Sequence, residues 1–275
     1  MDKSEPAARP QLLLPALGAW GVVLSVAGGT NLALSGILKS QAAAPYWLWL
    51  SETGGPWGMI LMLAIATGLA ASMRKELSDQ GGMAIRWLLM LLVVLLPVAW
   101  LNEAVIKPQL GLPRPFTLHL EKEGVIDPKT LYALPSKAQR TAELEAALVA
   151  NAHLPAIKNL HPRVRQHWLS HTGFSFPSGH SLNAFLFAVL LASLLAHHPR
   201  LSRGWIYVPF MWAAGVCLSR VALGAHTLLD VAVGALAGGA IGLGLMSLGF
   251  LRRWLLLEDS PIALREWAGD SKVRA

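Results

Sequence analysis

Apolar positions are not spread evenly along the chain. They gather into six long runs, at roughly 12–34, 56–73, 86–106, 180–197, 204–221 and 227–250, separated by polar stretches. Crossing the hydrocarbon core of a bilayer as a helix takes about 20 apolar residues, and each run approaches that length. The pattern predicts an all-α, polytopic membrane protein with six transmembrane helices, read as one domain over residues 1–275. The second and fourth runs are short, and Trp57, Met73 and the polar flanks extend them into the interface. Pro209 is expected to kink the fifth run without ending it. The sixth carries "GALAGGAIGLG", a set of small residues that lets a neighbouring helix approach closely.

One polar stretch is long. Residues 107–178 separate the third and fourth runs, and 116–170 read as an extramembrane insertion between those helices. It is expected to be partly helical, and too short and polar to hold much of a core alone. Ser136 followed by Gln139 reads as a capping box opening a helix through about Val149. Pro162 is expected to open a second helix with Val164 and Trp168 on one face, Trp168 packing the loop onto the membrane surface. The histidines of this stretch, His119, His153, His161, His167 and His171, are expected to be solvated and not to bind metal.

Composition supports the membrane reading. The chain is 54% hydrophobic and 14% charged, where a soluble domain carries about 25% charged residues. A formal charge of +7 would suit nucleic acid, but the basic residues sit scattered at the edges of the apolar runs and form no patch. They are read as interfacial anchors, and no nucleic-acid partner is expected. The single cysteine, Cys217, lies in an apolar run and permits no internal disulfide. No small-residue cleavage pattern follows the first run, which is read as a retained helix. Nothing in the sequence points to an oligomeric state.

Lysine and arginine are asymmetric about the runs. Lys3, Arg9, Arg74, Lys75, Arg86, Arg200, Arg203, Arg252 and Arg253 fall on one side of a six-span layout, with Lys39 and Arg220 on the other. Positive charge marks the cytoplasmic side. Both termini are therefore expected inside and the 107–178 stretch outside.

That layout brings four helix ends to the outer face. Lys107 and Arg114 end the third run; Ser178, Gly179 and His180 begin the fourth; Ser219 and Arg220 end the fifth; His226 and Asp230 begin the sixth. Lys107, Arg114 and Arg220 supply three cations, and guanidinium groups grip phosphate oxygens bidentately. Two helix N-termini add free N–H groups and positive dipole ends. Gly179 lets backbone approach a ligand, and Ser178 offers a hydroxyl. His226 and Asp230, four residues apart, share one helix face, where a carboxylate can fix the imidazole tautomer and raise its basicity. His180 can give a proton. Glu103, four residues before Lys107, is expected to pair with it. The set suits a phosphate whose alcohol is a lipid, and no metal or cofactor is expected.

The three polar stretches also carry a resemblance. "KPQLGLPRP" has Lys, six residues, then Arg-Pro; "PSGH" follows; "SRVALGAHTLLD" has Ser-Arg, five residues, His, three residues, Asp. Together they resemble the type-2 phosphatidic acid phosphatase superfamily of integral membrane lipid phosphatases. The wording "HWLSHTGFSFPSGH", after a sizeable outward loop, is most similar to its bacterial phosphatidylglycerophosphate phosphatase branch. The resemblance implies that His226 attacks phosphorus and becomes a phosphohistidine, that Asp230 orients it, and that His180 protonates the leaving oxygen. It implies that Lys107, Arg114, Ser178, Gly179 and Arg220 bind the phosphoryl oxygens, without a metal. Phosphatidylglycerophosphate, phosphatidic acid and undecaprenyl diphosphate are the substrates it suggests, met on the periplasmic face of a bacterial inner membrane. A phosphotransferase passing the phosphate to a lipid acceptor fits the same residues. A transporter fits less well, because transport sites lie near the bilayer midplane and these charges lie at one edge.

Overall fold

The computed structural model describes residues 8–29 and 36–248, and among these it contains helices and no strand. The far ends of the first and sixth apolar runs lie outside the described residues, as do Lys3, Arg252 and Arg253. The helices are α1 (Ala8–Gly29), α2 (Ala43–Thr53), α3 (Pro56–Ser72), α4 (Leu77–Leu101), α5 (Lys107–Leu110), α6 (Pro115–Lys122), α7 (Pro128–Ala133), α8 (Lys137–Ala150), α9 (Pro155–Lys158), α10 (Pro162–Ser170), α11 (Gly179–Ala196), α12 (Tyr207–Ala222) and α13 (Leu228–Met246). A π-helical turn, Asn102–Ile106, joins α4 to α5.

Four stretches are long and apolar enough to cross a membrane: Asp79–Lys122, Gly179–Ala196, Arg203–Ala222 and Leu228–Met246. A fifth arises if α2 and α3, bent by 57° across a short break, count as one span. The apolar part of α1 among the described residues, Leu12–Val26, is shorter. The described residues thus carry four spans, or five, where the hydropathy pattern predicts six. The second run begins its helix at residue 56 as the pattern predicts, with Pro56 opening α3 where its missing N–H costs nothing. The hydropathy pattern does not mark α2, which precedes it and turns into it at Gly54 and Gly55. The third run does not end near residue 106, because the helix carries on through the π turn into α5.

α11 is the centre of the bundle and packs most extensively on α13 and α12. The small-residue stretch makes this possible. A Cβ on Gly238 would fall 2.0 Å from the Leu182 carbonyl oxygen, one on Gly242 2.8 Å from Val189 Cβ, and one on Gly234 2.5 Å from the Ser178 carbonyl oxygen. These glycines recur every fourth residue, so one face of α13 lies directly on the α11 backbone. Phe185, Val189, Phe210, Val216 and Val231 fill the core between α11, α12 and α13.

The insertion holds more of a core than its polarity predicts. Phe116, Leu120, Leu131, Leu144, Leu148, Val164 and Trp168 are buried together with Leu38, Leu48 and Leu223. The last three come from outside the insertion, which borrows surface from the turn Gly36–Lys39, from α2 and from the connection after α12. Trp168 is 2% exposed. It stacks on Phe116 with ring centroids 5.0 Å apart, and its Nε1 donates to the Leu223 carbonyl at 2.9 Å. Trp168 therefore anchors the insertion to the turn between α12 and α13, where a packing role against the membrane surface was expected. The Ser136–Gln139 capping box opens α8, and Pro162 opens α10 with Val164 and Trp168 buried, as their sequence signals indicate. Pro209 stands in the first turn of α12, directly after the short helical turn Arg203–Ile206, and the helix continues past it to Ala222. His161 and His167 are buried; the expectation of solvation fails for them because the insertion folds against the helical bundle.

Candidate active site

The α12–α13 turn assembles the first half of the site. Gly224, with φ of 67°, reverses the chain so that the backbone N–H groups of Ala225 and His226 both donate to the Arg220 carbonyl, at 3.0 and 3.2 Å. Thr227 then caps α13 in a capping box: its Oγ1 accepts from the Asp230 N–H at 3.1 Å, and Asp230 Oδ2 accepts from the Thr227 N–H at 2.9 Å. The carboxylate held in this way lies 3.4 Å from His226 Nδ1. Ser175 Oγ donates to the same carboxylate oxygen and lies 3.3 Å from Nδ1.

The other ring nitrogen, Nε2, accepts from Arg114 Nη1 at 3.1 Å. A guanidinium has donors and no acceptor, so Nε2 carries the lone pair and the ring proton resides on Nδ1, on the carboxylate side. His226 is 1% exposed. Burial, then the charges of Arg114, Arg220, Lys107 and His180, hold its pKa well below the usual imidazole range, so the ring is neutral at pH 7. Arg114 is itself fixed by the Gly173 carbonyl at 2.8 Å and the Ala225 carbonyl at 3.0 Å, while its backbone N–H donates to Tyr132 Oη at 3.1 Å.

The start of α11 forms the second half. Ser178 caps the helix, its Oγ accepting from the Ser181 N–H at 3.4 Å, and its own N–H donates to the Asp230 carbonyl at 3.0 Å. The PSGH turn is thereby tied to α13. A Cβ on Gly179 would fall 2.9 Å from Glu103 Oε1, 3.1 Å from Asn102 Nδ2 and 3.9 Å from Lys107 Nζ. Lys107 donates to Glu103, as their spacing predicts. The wide π turn carries Asn102 and Glu103; such turns recur at functional sites.

Arg220 is 0% exposed. Its Nη1 donates to Ser51 Oγ and to His167 Nε2, the latter at 3.1 Å. The His180 ring lies 5.9 Å from that of His171, which lies 4.1 Å from that of His167.

All eight residues singled out in the sequence, Lys107, Arg114, Ser178, Gly179, His180, Arg220, His226 and Asp230, thus converge at the ends of α5, α6, α11, α12 and α13. Sequence reasoning missed Ser51, Asn102, Tyr132, His167 and Ser175 as neighbours of the site. Asn102 had a signal, a polar residue inside an apolar run. Ser51 had none, because the pattern marks no helix over 43–53. Among the described residues no group of three or more His, Cys, Asp or Glu is placed to hold a metal ion.

Residues 86–254, which include all eight, match the profile of the PAP2 superfamily. The chain belongs to the PAP2 superfamily. It is 32% identical over 197 residues to phosphatidylglycerophosphatase B of Escherichia coli K12, covering 70% of this chain and 71% of that protein. The Shigella flexneri protein of the same name gives the same figures. The one from Haemophilus influenzae is 27% identical over 230 residues, covering 79% of this chain and 83% of that protein. The PAP2 match begins beyond α2, so Ser51 and Glu52 reach the site from outside it.

Proposed function

We propose that this chain, a membrane lipid phosphatase of the PAP2 superfamily, removes phosphate from its lipid through a phosphohistidine formed on His226. The observation that carries this reading is the pair of contacts on that ring. Asp230 and Ser175 face Nδ1, and a donor-only guanidinium faces Nε2. The neutral ring directs its lone pair at a cation suited to hold a phosphoryl oxygen.

In the first step Nε2 forms a bond to phosphorus, the bond from phosphorus to the lipid oxygen breaks, and His180 gives that oxygen a proton. The imidazolium so formed is balanced by Asp230. In the second step water attacks phosphorus, His180 takes the water proton back, and the P–N bond breaks to return neutral His226. Lys107, Arg114, Arg220, the Ser178 hydroxyl and the backbone at Gly179 carry the charge on the phosphoryl oxygens.

The relatives named phosphatidylglycerophosphatase B favour phosphatidylglycerophosphate as substrate; phosphatidic acid and undecaprenyl diphosphate present the same reacting group. The fold proposed for the whole chain, 1–275, is a single domain of six spans with both termini in the cytoplasm of a bacterial cell. The site then faces the periplasm, and the 116–170 insertion lies over it. The lysine and arginine asymmetry supports this orientation.

The test is phosphate release by the purified protein from those three lipids, with His226→Ala as blank. A 32P-labelled enzyme acid-labile at phosphorus–nitrogen is expected, absent in the blank. Label still trapped in His226→Ala would place the nucleophile elsewhere. Phosphate recovered in a second lipid, and not in water, would make the reaction a transfer.

A further inference from the structure

Arg220 is divided into two halves. Nη1 donates to Ser51 Oγ and His167 Nε2, while Nε and Nη2 are buried with no hydrogen-bond partner. Those two nitrogens form one edge of the planar guanidinium fork. A buried charged donor left unpaired is costly, and a tetrahedral oxyanion matches such an edge with two parallel bonds.

The paired half is built by elements the chemistry does not otherwise use. Ser51 comes from α2 and His167 from α10 of the insertion. For Nη1 to donate to His167 Nε2, that ring must be neutral with its proton on Nδ1. Nδ1 lies 3.9 Å from Glu52 Oε1. Burial, followed by the charges of Arg220 and Arg114, lowers the His167 pKa well below the ordinary imidazole range. Glu52, His167 and Arg220 therefore repeat the order of Asp230, His226 and Arg114: carboxylate, imidazole, guanidinium. In the second group the imidazole has no access to an attack role, because its Nε2 is taken by Arg220.

We propose that Ser51 and His167 are positioning residues that clamp Nη1 of Arg220, and so aim its Nε–Nη2 edge at the phosphoryl oxygens. Glu52, its Oε1 3.9 Å from Nδ1, lies on the proton side of the His167 ring without a direct hydrogen bond to it. The docking of the insertion onto α2 then sets the geometry of the phosphate grip. This rests on the reading that Arg220 binds the phosphoryl group.

The experiment uses the full chain in detergent, with dioctanoyl phosphatidic acid as substrate and orthovanadate as the oxyanion probe. His167→Leu and Ser51→Ala should each lower kcat/KM and weaken orthovanadate inhibition by about tenfold or more, the scale of a hydrogen bond to a charged group, at an unchanged unfolding temperature. His167→Gln and Ser51→Thr retain an acceptor and should restore most of both. In an Arg220→Lys background, His167→Leu should add less than about twofold, because the interaction is already gone. Full additive losses in that background, or His167→Leu and Ser51→Ala that bind orthovanadate as the parent does, would overturn the clamp while leaving Arg220 a phosphate ligand. An Arg220→Lys enzyme with parental turnover and inhibition would remove that ligand role and the clamp with it. Where His167→Leu fails to fold, Ser51→Ala and Ser51→Thr decide the matter alone.

Discussion

Arg114 Nη1 and His226 Nε2 lie 3.1 Å apart in a buried site. The guanidinium thus occupies the nitrogen proposed to attack phosphorus. A phosphoryl group that takes Arg114's bond for itself exposes that lone pair in the same movement. In the proposed mechanism binding and activation are then one event, since the cation assigned to the oxygen is the one that covers the proposed nucleophile. Arg114→Lys keeps the charge and loses the fork, and should lower kcat/KM by about 10²-fold, the scale of losing one preorganised transition-state donor. Steady-state kinetics on phosphatidic acid would check it; a loss below threefold would show that charge alone suffices.

Ser175 provides a second measure of the same ring. Its hydroxyl donates to Asp230 Oδ2 and lies 3.3 Å from His226 Nδ1. Ser175→Ala leaves the carboxylate with the Thr227 N–H and removes one of the groups that fix the ring. The rate of phosphoenzyme formation should fall by about tenfold, with little change in vanadate affinity. A variant that loses vanadate affinity and keeps its phosphorylation rate would assign Ser175 to binding.

The glycines of α13 separate packing from composition. Gly238→Ala would drive a Cβ to 2.0 Å from the Leu182 carbonyl oxygen, whereas Gly244→Ala meets nothing within 4 Å. The first should cost about 1–3 kcal/mol or more as overpacking, and the second should be neutral or slightly stabilising through helix propensity. Thermal unfolding in detergent distinguishes them, and equal midpoints for the two variants would contradict the α11–α13 contact.

These contrasts show where the sequence was legible. The close approach of a neighbour to α13 followed from its small residues, whereas the identity of that neighbour, α11, and the four-residue register of Gly234, Gly238 and Gly242 came from the fold. His226 and Asp230 do pair, but not on one helix face as expected: His226 precedes the Thr227 cap of α13, and the turn at Gly224 with the capping box brings the ring to the carboxylate. The Lys107–Glu103 pair followed from helical spacing. Ser51 and His167 did not, because their partnership with Arg220 spans 169 and 53 residues of chain and no local period records it. The bend between α2 and α3 was hidden for another reason: "AAPYWLWLSET" mixes polar and aromatic residues, so a hydropathy window ends before the helix that supplies Ser51 and Glu52.

Orientation is tested by side-specific labelling. Cys217 is fully buried, so an introduced cysteine reports alone. A membrane-impermeant maleimide added outside should modify Ala138→Cys, on α8 of the insertion, and spare Ser202→Cys, between α11 and α12. The reverse pattern would invert the proposed topology.

Acid should unfold this protein through its buried imidazoles. Burial is the first cause that lowers the pKa of His226, His167 and His171, with the charge of Arg220 or Arg114 next. All three are neutral in the fold at pH 7, and each titrates near 6.5 in the unfolded chain. Above about pH 6.5 neither state binds these protons, and stability is independent of them. Below it the unfolded chain takes up protons that the folded chain refuses, so stability falls as pH falls, and it goes on falling until the folded pKa values are reached. Each group contributes a slope of at most about 1.4 kcal/mol per pH unit. The expected result is an unfolding midpoint that is flat from about pH 7 upward and declines steadily below about 6.5. His171→Asn, which removes one of the three, should make that decline shallower by about a third. In the proposed mechanism the same protonations would disable the site, since a protonated His226 has no lone pair for phosphorus and a protonated His167 cannot accept from Arg220. The acid limb of kcat/KM should therefore lie well below pH 6.5 in the intact enzyme. A midpoint that rises on acidification, or an acid limb centred at 6.5, would mean that these rings are solvated and that the insertion does not close over them.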